Sequence, residues 1–215
     1  MNTIRHNRTT PDIVAQQLRL AILRGQLKSH QPLRQDRLAD DLGVSKIPIR
    51  EALAQLKAEG LVTYKTNRGA FVTSLSPKEA KEIYLMRIAL ETMALEHAIP
   101  KLKQTDLARA QSALMVIDVE SDPTKWAELN WEFHSALYQP ADMPHLSSTL
   151  EMLHINVGRY IVLYLDGMEF QQKSQKEHYA LLEACKAGDV DRAIQMLKQH
   201  LLDASNSLET YLRNS

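Results

Sequence analysis

Two sets of residues in this 215-residue chain have types and spacings that could do chemistry. The first is basic. Lys46 and Arg50 lie four apart with Ile47 between them, directly after Gly43-Val44-Ser45. Ile49, Ala52, Leu53 and Leu56 fall at i, i+3, i+4 and i+7, an apolar stripe for the rear face of a helix. Such a helix can offer Lys46, Ile47 and Arg50 to base edges in a major groove. The second set is built on imidazole. Asn130 and His134 are four apart and share a helix face, while His178 and His200 are 22 apart. Each His has apolar neighbours at helical spacing: Trp131 and Leu137, Leu181 and Leu182, Leu197 and Leu201. All three rings are therefore expected to point inward. Three imidazoles and one oxygen converging in a helical bundle could hold a divalent transition metal, zinc or nickel, with room for an exogenous ligand. Residue by residue, the same pattern also suits core histidines satisfied by hydrogen bonds.

The elements that must position the basic set can be read from local signals. Ser45 is a good N-cap, and Pro48 fits in the first turn, where backbone N–H groups lack intrahelical partners. Residues 35–42 form a short helix ended by Gly43, which supplies the permissive turn. Upstream, Thr10 caps a longer helix with Pro11 at its first position and Val14, Leu18, Ala21 and Ile22 as its apolar face. After Gly60, two β-prone runs flank Asn67-Arg68-Gly69, a plausible hairpin turn. Three helices and a hairpin make a winged helix-turn-helix.

At this point the residues resemble a known family. Leu18, Ala21, Ile22 and Gly25, then Leu38, Ala39, residues 42–45, Pro48 and residues 50–53, then residues 60–62, 67–70 and Val72 match the DNA-binding domain of GntR-type bacterial transcription regulators. The resemblance implies DNA contact by Arg34, Arg37, Ser45, Lys46, Ile47, Arg50, Arg68 and Gly69. Three departures stand out. Ser29-His30 replaces a Pro-Gly turn, Lys46 stands where Arg is usual, and Asp36 stands where Arg is common.

Charge divides the chain. Residues 1–74 carry 12 Lys and Arg against 6 Asp and Glu, a net of +6; the remainder carries 14 against 20, a net of −6. A basic module suits phosphate neutralisation, and the acidic part needs another task. We expect two domains, 1–74 and 75–215. No apolar run approaches a membrane span and no signal-peptide pattern is visible. The single Cys185 excludes an internal disulfide framework, fits a reducing cytoplasm, and sits in an apolar context that suits packing.

Ser76-Pro77-Lys78-Glu79 opens the second part with a capping box. From there every strong period is helical. Six helices are predicted, at about 77–99, 105–120, 123–139, 144–166, 169–187 and 189–212, forming an all-α bundle. The fold class is therefore mainly α. This region resembles the FCD effector domain of FadR-type GntR regulators, in the shorter VanR-like branch. Many members carry Asp-x-x-x-His, then His in a Glu-His-x-x-Leu-Leu context, then a further His. Those positions map to Asn130, His134, His178 and His200, with Asn130 in place of Asp. The resemblance implies that these four hold a metal. Arg87 and Glu91, at i, i+4, read by themselves as a helix-surface ion pair. The family pattern instead implies that Arg87 lies at the effector pocket, with Arg159 as a second arginine. An Arg beside a metal makes a good carboxylate clamp.

The expectation is a cytoplasmic regulator and not an enzyme: a homodimer on an inverted-repeat, double-stranded DNA operator, repressing by default and tuned by a small organic acid bound at the metal. The rival classes are a metal-dependent enzyme fused to a DNA-binding module and an effector-independent DNA-binding protein.

Overall fold

The structure is a computed structural model, and it describes residues 9–164 and 168–214, with side chains left out at 123, 124, 159, 161–164 and 168–170. The chain divides into two compact units, one ending at Ser74 and the next beginning at Leu75.

In the first unit, α1 (Thr10–Leu23), α2 (Gln35–Leu42) and α3 (Lys46–Ala58) precede a hairpin of β2 (Val62–Lys65) and β3 (Gly69–Val72). The N-cap of α1 is Thr9 rather than Thr10. Its box partner is Asp12, and Pro11 falls in the first turn. Gly43 ends α2 with φ +65, the left-handed conformation that glycine adopts without a Cβ penalty. Gly60, at φ +78, follows α3 in the same way. The expected stripe is the core: Ile49, Ala52, Leu53 and Leu56 are buried with Val14, Leu18 and Ile22 of α1.

The sheet has one strand more than the sequence suggested. β1 (Pro32–Leu33) pairs antiparallel with β3, Pro32 opposite Phe71 and Leu33 opposite Ala70, giving the order β1-β3-β2. A two-residue strand has too little pattern to announce itself. It is pinned by His30 N donating to Val72 O at 3.0 Å and Val72 N to Gln31 O at 3.0 Å. His30 holds φ +65, so a non-glycine residue occupies a left-handed turn here.

The second unit holds α4 (Pro77–Ala98), α5 (Gln104–Ile117), α6 (Pro123–Tyr138), α7 (Pro144–Tyr164), α8 (Met168–Lys186) and α9 (Val190–Asn214). Two short 3-10 turns, Ile99–Lys101 and Gln139–Ala141, follow α4 and α6. The α4 capping box forms as expected, with Glu79 N donating to Ser76 Oγ and Ser76 N to Glu79 Oε2. α4 packs along α9, and α5 along α6. One apolar core joins the six helices through Tyr84, Leu95, Leu114, Phe133, Leu137, Leu150, Leu182 and Leu197. Cys185 is buried in it, and burial pushes its thiol up to about 12, which keeps it un-ionised.

Candidate metal centre and nucleic-acid interface

The eight residues expected at DNA are all exposed: Arg34, Arg37, Ser45, Lys46, Ile47, Arg50, Arg68 and Gly69. Ile47 is 59% exposed although it is a large apolar residue on a helix whose opposite face is fully buried. Ser45 occupies the N-cap of α3, but its hydroxyl makes no cap bond, contrary to expectation. That leaves the hydroxyl available to an outside partner. Arg34, Arg37, Arg68 and Gly69 line one groove of about 1290 Å³ between the start of α2 and the β2–β3 wing.

Two of the cations already have partners. Lys46 Nζ lies 2.6 Å from Asp36 Oδ1, and Arg37 Nε lies 3.6 Å from Asp41 Oδ2. The hydrogen bond that Lys46 donates to Asp36, then the Asp36 charge, raises the Lys46 pKa. The residue that departs from the family pattern on α2 is thus the one that holds the departing residue on α3. Pairing across helices could not be read from sequence.

In the bundle, the expected histidines come together. His134, His178 and His200 are buried, and one ring nitrogen from each lies within 4.8 Å of the others. Ring centroids are 5.1 Å apart for His134–His178, 5.5 Å for His134–His200 and 4.7 Å for His178–His200. Two nitrogens on one ion at bonds of about 2.0–2.1 Å are about 3.4 Å apart in a tetrahedral site, so loading would draw the rings together, the widest pair by up to about 1.4 Å. Asn130 is also buried, one turn before His134 on α6.

The Nδ1 atoms are occupied outside the cluster. His134 Nδ1 is 3.1 Å from Tyr138 Oη, and Tyr138 donates to Glu91 Oε2 at 2.6 Å. His178 Nδ1 is 3.3 Å from Gln175 Oε1, and His200 Nδ1 is 2.8 Å from Glu177 Oε2. His134 Nε2 and His178 Nε2 are buried with no hydrogen-bond partner. Buried polar atoms are normally satisfied, so two orphans facing a third imidazole mark a place for a ligand. Burial, then the neighbouring imidazoles, pushes His134 and His178 well below the usual range, so both rings are neutral and able to donate a lone pair.

Arg87 and Glu91 do not form a surface pair. They are 3% and 1% exposed, with Arg87 Nε 2.7 Å from Glu91 Oε1. The charge of Arg87 acts on both His134 and His154. The side chain of Arg159 lies outside the described residues. His154, which the sequence left without a role, is buried on α7. It stacks on Trp131 at 4.9 Å, and its Nδ1 has no partner. Tyr138 sits one turn after His134, and Gln175 and Glu177 both precede His178; none of the three was assigned a role from sequence.

The chain is similar to known proteins along most of its length. Residues 11–72 match the family described as bacterial regulatory proteins, gntR family, and residues 82–203 match the FCD domain. YdhC of Bacillus subtilis (strain 168), named an uncharacterized HTH-type transcriptional regulator, is 30% identical over 190 residues, 86% of this chain and 83% of that protein. The HTH-type transcriptional repressor GlaR of Escherichia coli (strain K12) is 30% identical over 192 residues, 84% of this chain and 87% of that protein. A solved GntR family member from Pseudomonas syringae pv. tomato str. DC3000 is 34% identical and aligns over 95% of this chain and 86% of that one, with a TM-score of 0.61.

Proposed function

The chain belongs to the GntR family of bacterial regulatory proteins and carries an FCD domain, and we propose that it represses transcription from an inverted-repeat operator, as a homodimer, under control of an organic acid bound at a divalent metal. Its family and relatives are transcription regulators rather than enzymes. Among the described residues no helix is long and apolar enough to cross a membrane. We place its action on DNA in the cytoplasm.

One observation carries the sensing half of this reading. Three buried imidazoles converge with every Nδ1 engaged elsewhere, which leaves Nε2 lone pairs for an ion such as zinc or nickel. Asn130 Oδ1 would be the fourth donor, contributing no charge. A bound dication would supply electrostatic attraction for a carboxylate. Four neutral donors leave that charge uncompensated, which supports an anionic effector. Arg87, and Arg159 with it, would clamp the acid group.

The DNA half rests on the exposed first turns of α3. A palindromic operator needs two recognition helices, hence the dimer. The relative GlaR is named a repressor, which supports the sign of regulation.

The test is operator binding by the full chain, with and without bound metal, against a panel of organic acids. An acid that weakens operator binding only in the metal-loaded protein is the expected result. Operator binding that ignores every acid and every metal would sink the sensing half and leave an effector-independent DNA-binding protein.

A further inference from the structure

Each histidine of the cluster touches an acceptor on its far side, and the three acceptors come from two helices. Tyr138 Oη lies on α6, Gln175 Oε1 and Glu177 Oε2 on α8. A neutral imidazole carries its proton on one nitrogen, and the hydrogen bond made there fixes the tautomer. Tyr138 gives its own hydrogen to Glu91, so its oxygen receives one from His134 Nδ1. Gln175 is oriented in the same sense, because its amide nitrogen donates to Leu114 O at 2.8 Å and Asp118 Oδ1 at 2.8 Å, which turns its carbonyl oxygen toward His178. Glu177 is a carboxylate and can only accept. It is half-buried, with Lys173 Nζ at 3.7 Å.

We propose that Tyr138, Gln175 and Glu177 are positioning residues that lock His134, His178 and His200 as Nδ1–H tautomers, so that all three Nε2 lone pairs face one point. The inference rests on the metal reading above and adds what fixes the ligands. Glu177 carries the largest share, since it is the only charged acceptor and its bond, at 2.8 Å, is the shortest of the three. Tyr138 has a second consequence. Through Glu91 it joins His134 to Arg87, so the ring that would hold the ion and the cation that would hold the acid share one chain of hydrogen bonds.

The experiment uses the full chain stripped of metal and titrated with zinc against a chelating dye, with cobalt(II) absorption as a report on ligand geometry. Glu177→Ala should weaken zinc binding by about 10- to 100-fold and shift the cobalt spectrum. Glu177→Gln keeps an acceptor oxygen without the charge and should fall between Glu177→Ala and the native protein. Tyr138→Phe should also weaken zinc binding, while Lys173→Met should leave it unchanged. Thermal unfolding of the metal-free variants reports whether each is folded; should Glu177→Ala fail to fold, Glu177→Gln and Tyr138→Phe carry the comparison. Native affinity and a native cobalt spectrum in the Glu177 and Tyr138 variants would overturn the assignment while leaving the metal reading intact. Absence of zinc binding by the unaltered protein would instead overturn the metal reading, and the positioning role with it.

Discussion

At the residue scale, the proposed DNA-binding face consists of a few exposed side chains with a buried stripe behind them. Arg50 is exposed while its neighbour Ile49 is wholly buried, so truncating Arg50 removes a contact without opening the core. Arg50→Ala should lose roughly 1–3 kcal/mol of specific operator affinity, if the guanidinium makes a bidentate base contact, with thermal stability unchanged. Competitive gel shifts against non-specific DNA measure it, and equal affinity would remove Arg50 from the interface. Lys46 is a different case because Asp36 holds it. Both are exposed, so the pair adds little to stability, yet DNA must compete with Asp36 for the ammonium. Asp36→Asn should raise operator affinity and steepen its salt dependence by about one unit of slope. A fluorescence-anisotropy titration across salt concentrations reads both. This competition was invisible in the sequence, where Asp36 showed only as a departure from a pattern. The inward-facing histidines were legible, because each lies in an apolar periodic context. Their Nδ1 partners were not: Gln175 and Glu177 are three residues before and one residue before a ligand candidate, and nothing in the spacing says which polar side chain turns back.

At the scale of elements, local signals decided most of the architecture. The capping box at Ser76, the glycine after Leu42 and the wing turn are short-range devices, and the helices begin and end within a few residues of them. β1 escaped because its two residues are held by partners about forty positions away in β3. The Arg87–Glu91 pair shows the same limit. The i, i+4 spacing places the two side chains together, but whether that face meets water or α6 depends on packing. Gly43 gives an element-scale test. A Cβ there would meet nothing within 4 Å, so the cost of Gly43→Ala is confined to the backbone at φ +65. Destabilisation by about 1–2 kcal/mol is expected, since an L-residue pays that much in the left-handed region. Chemical denaturation of the full chain measures it, following a signal from the first unit; a loss well below 1 kcal/mol would mean that the turn relaxes.

At the scale of the whole molecule, the +6 and −6 halves of the charge distribution match the division into two units. The basic one presents cations to an anionic polymer. The acidic one buries four histidines, and the burial of His134, His154 and His178 links stability to pH. His154 is pushed down to about 3, first by burial and then by the charge of Arg87, against about 6.5 in an unfolded chain. A depressed value in the folded state means that the unfolded chain takes up the proton first as pH falls. The stability this neutral ring provides is complete above about pH 6.5 and is lost progressively between about 6.5 and about 3. His154 alone should cost the metal-free protein about 2 kcal/mol between pH 7 and pH 5, and His134 and His178 act in the same direction. His154→Phe, which keeps a ring against Trp131, should flatten that acid limb in unfolding curves taken across pH. An unchanged limb would show that His154 is not held neutral.

The central claim is that His134, His178 and His200 form a single divalent metal site. Its most direct measurement is elemental analysis of the full chain after reconstitution with zinc or nickel and exhaustive dialysis, beside the His178→Ala variant. The account predicts one bound ion per chain in the native protein and markedly less in the variant. A native protein that retains no divalent ion, or a His178→Ala variant that retains as much as native, would contradict it.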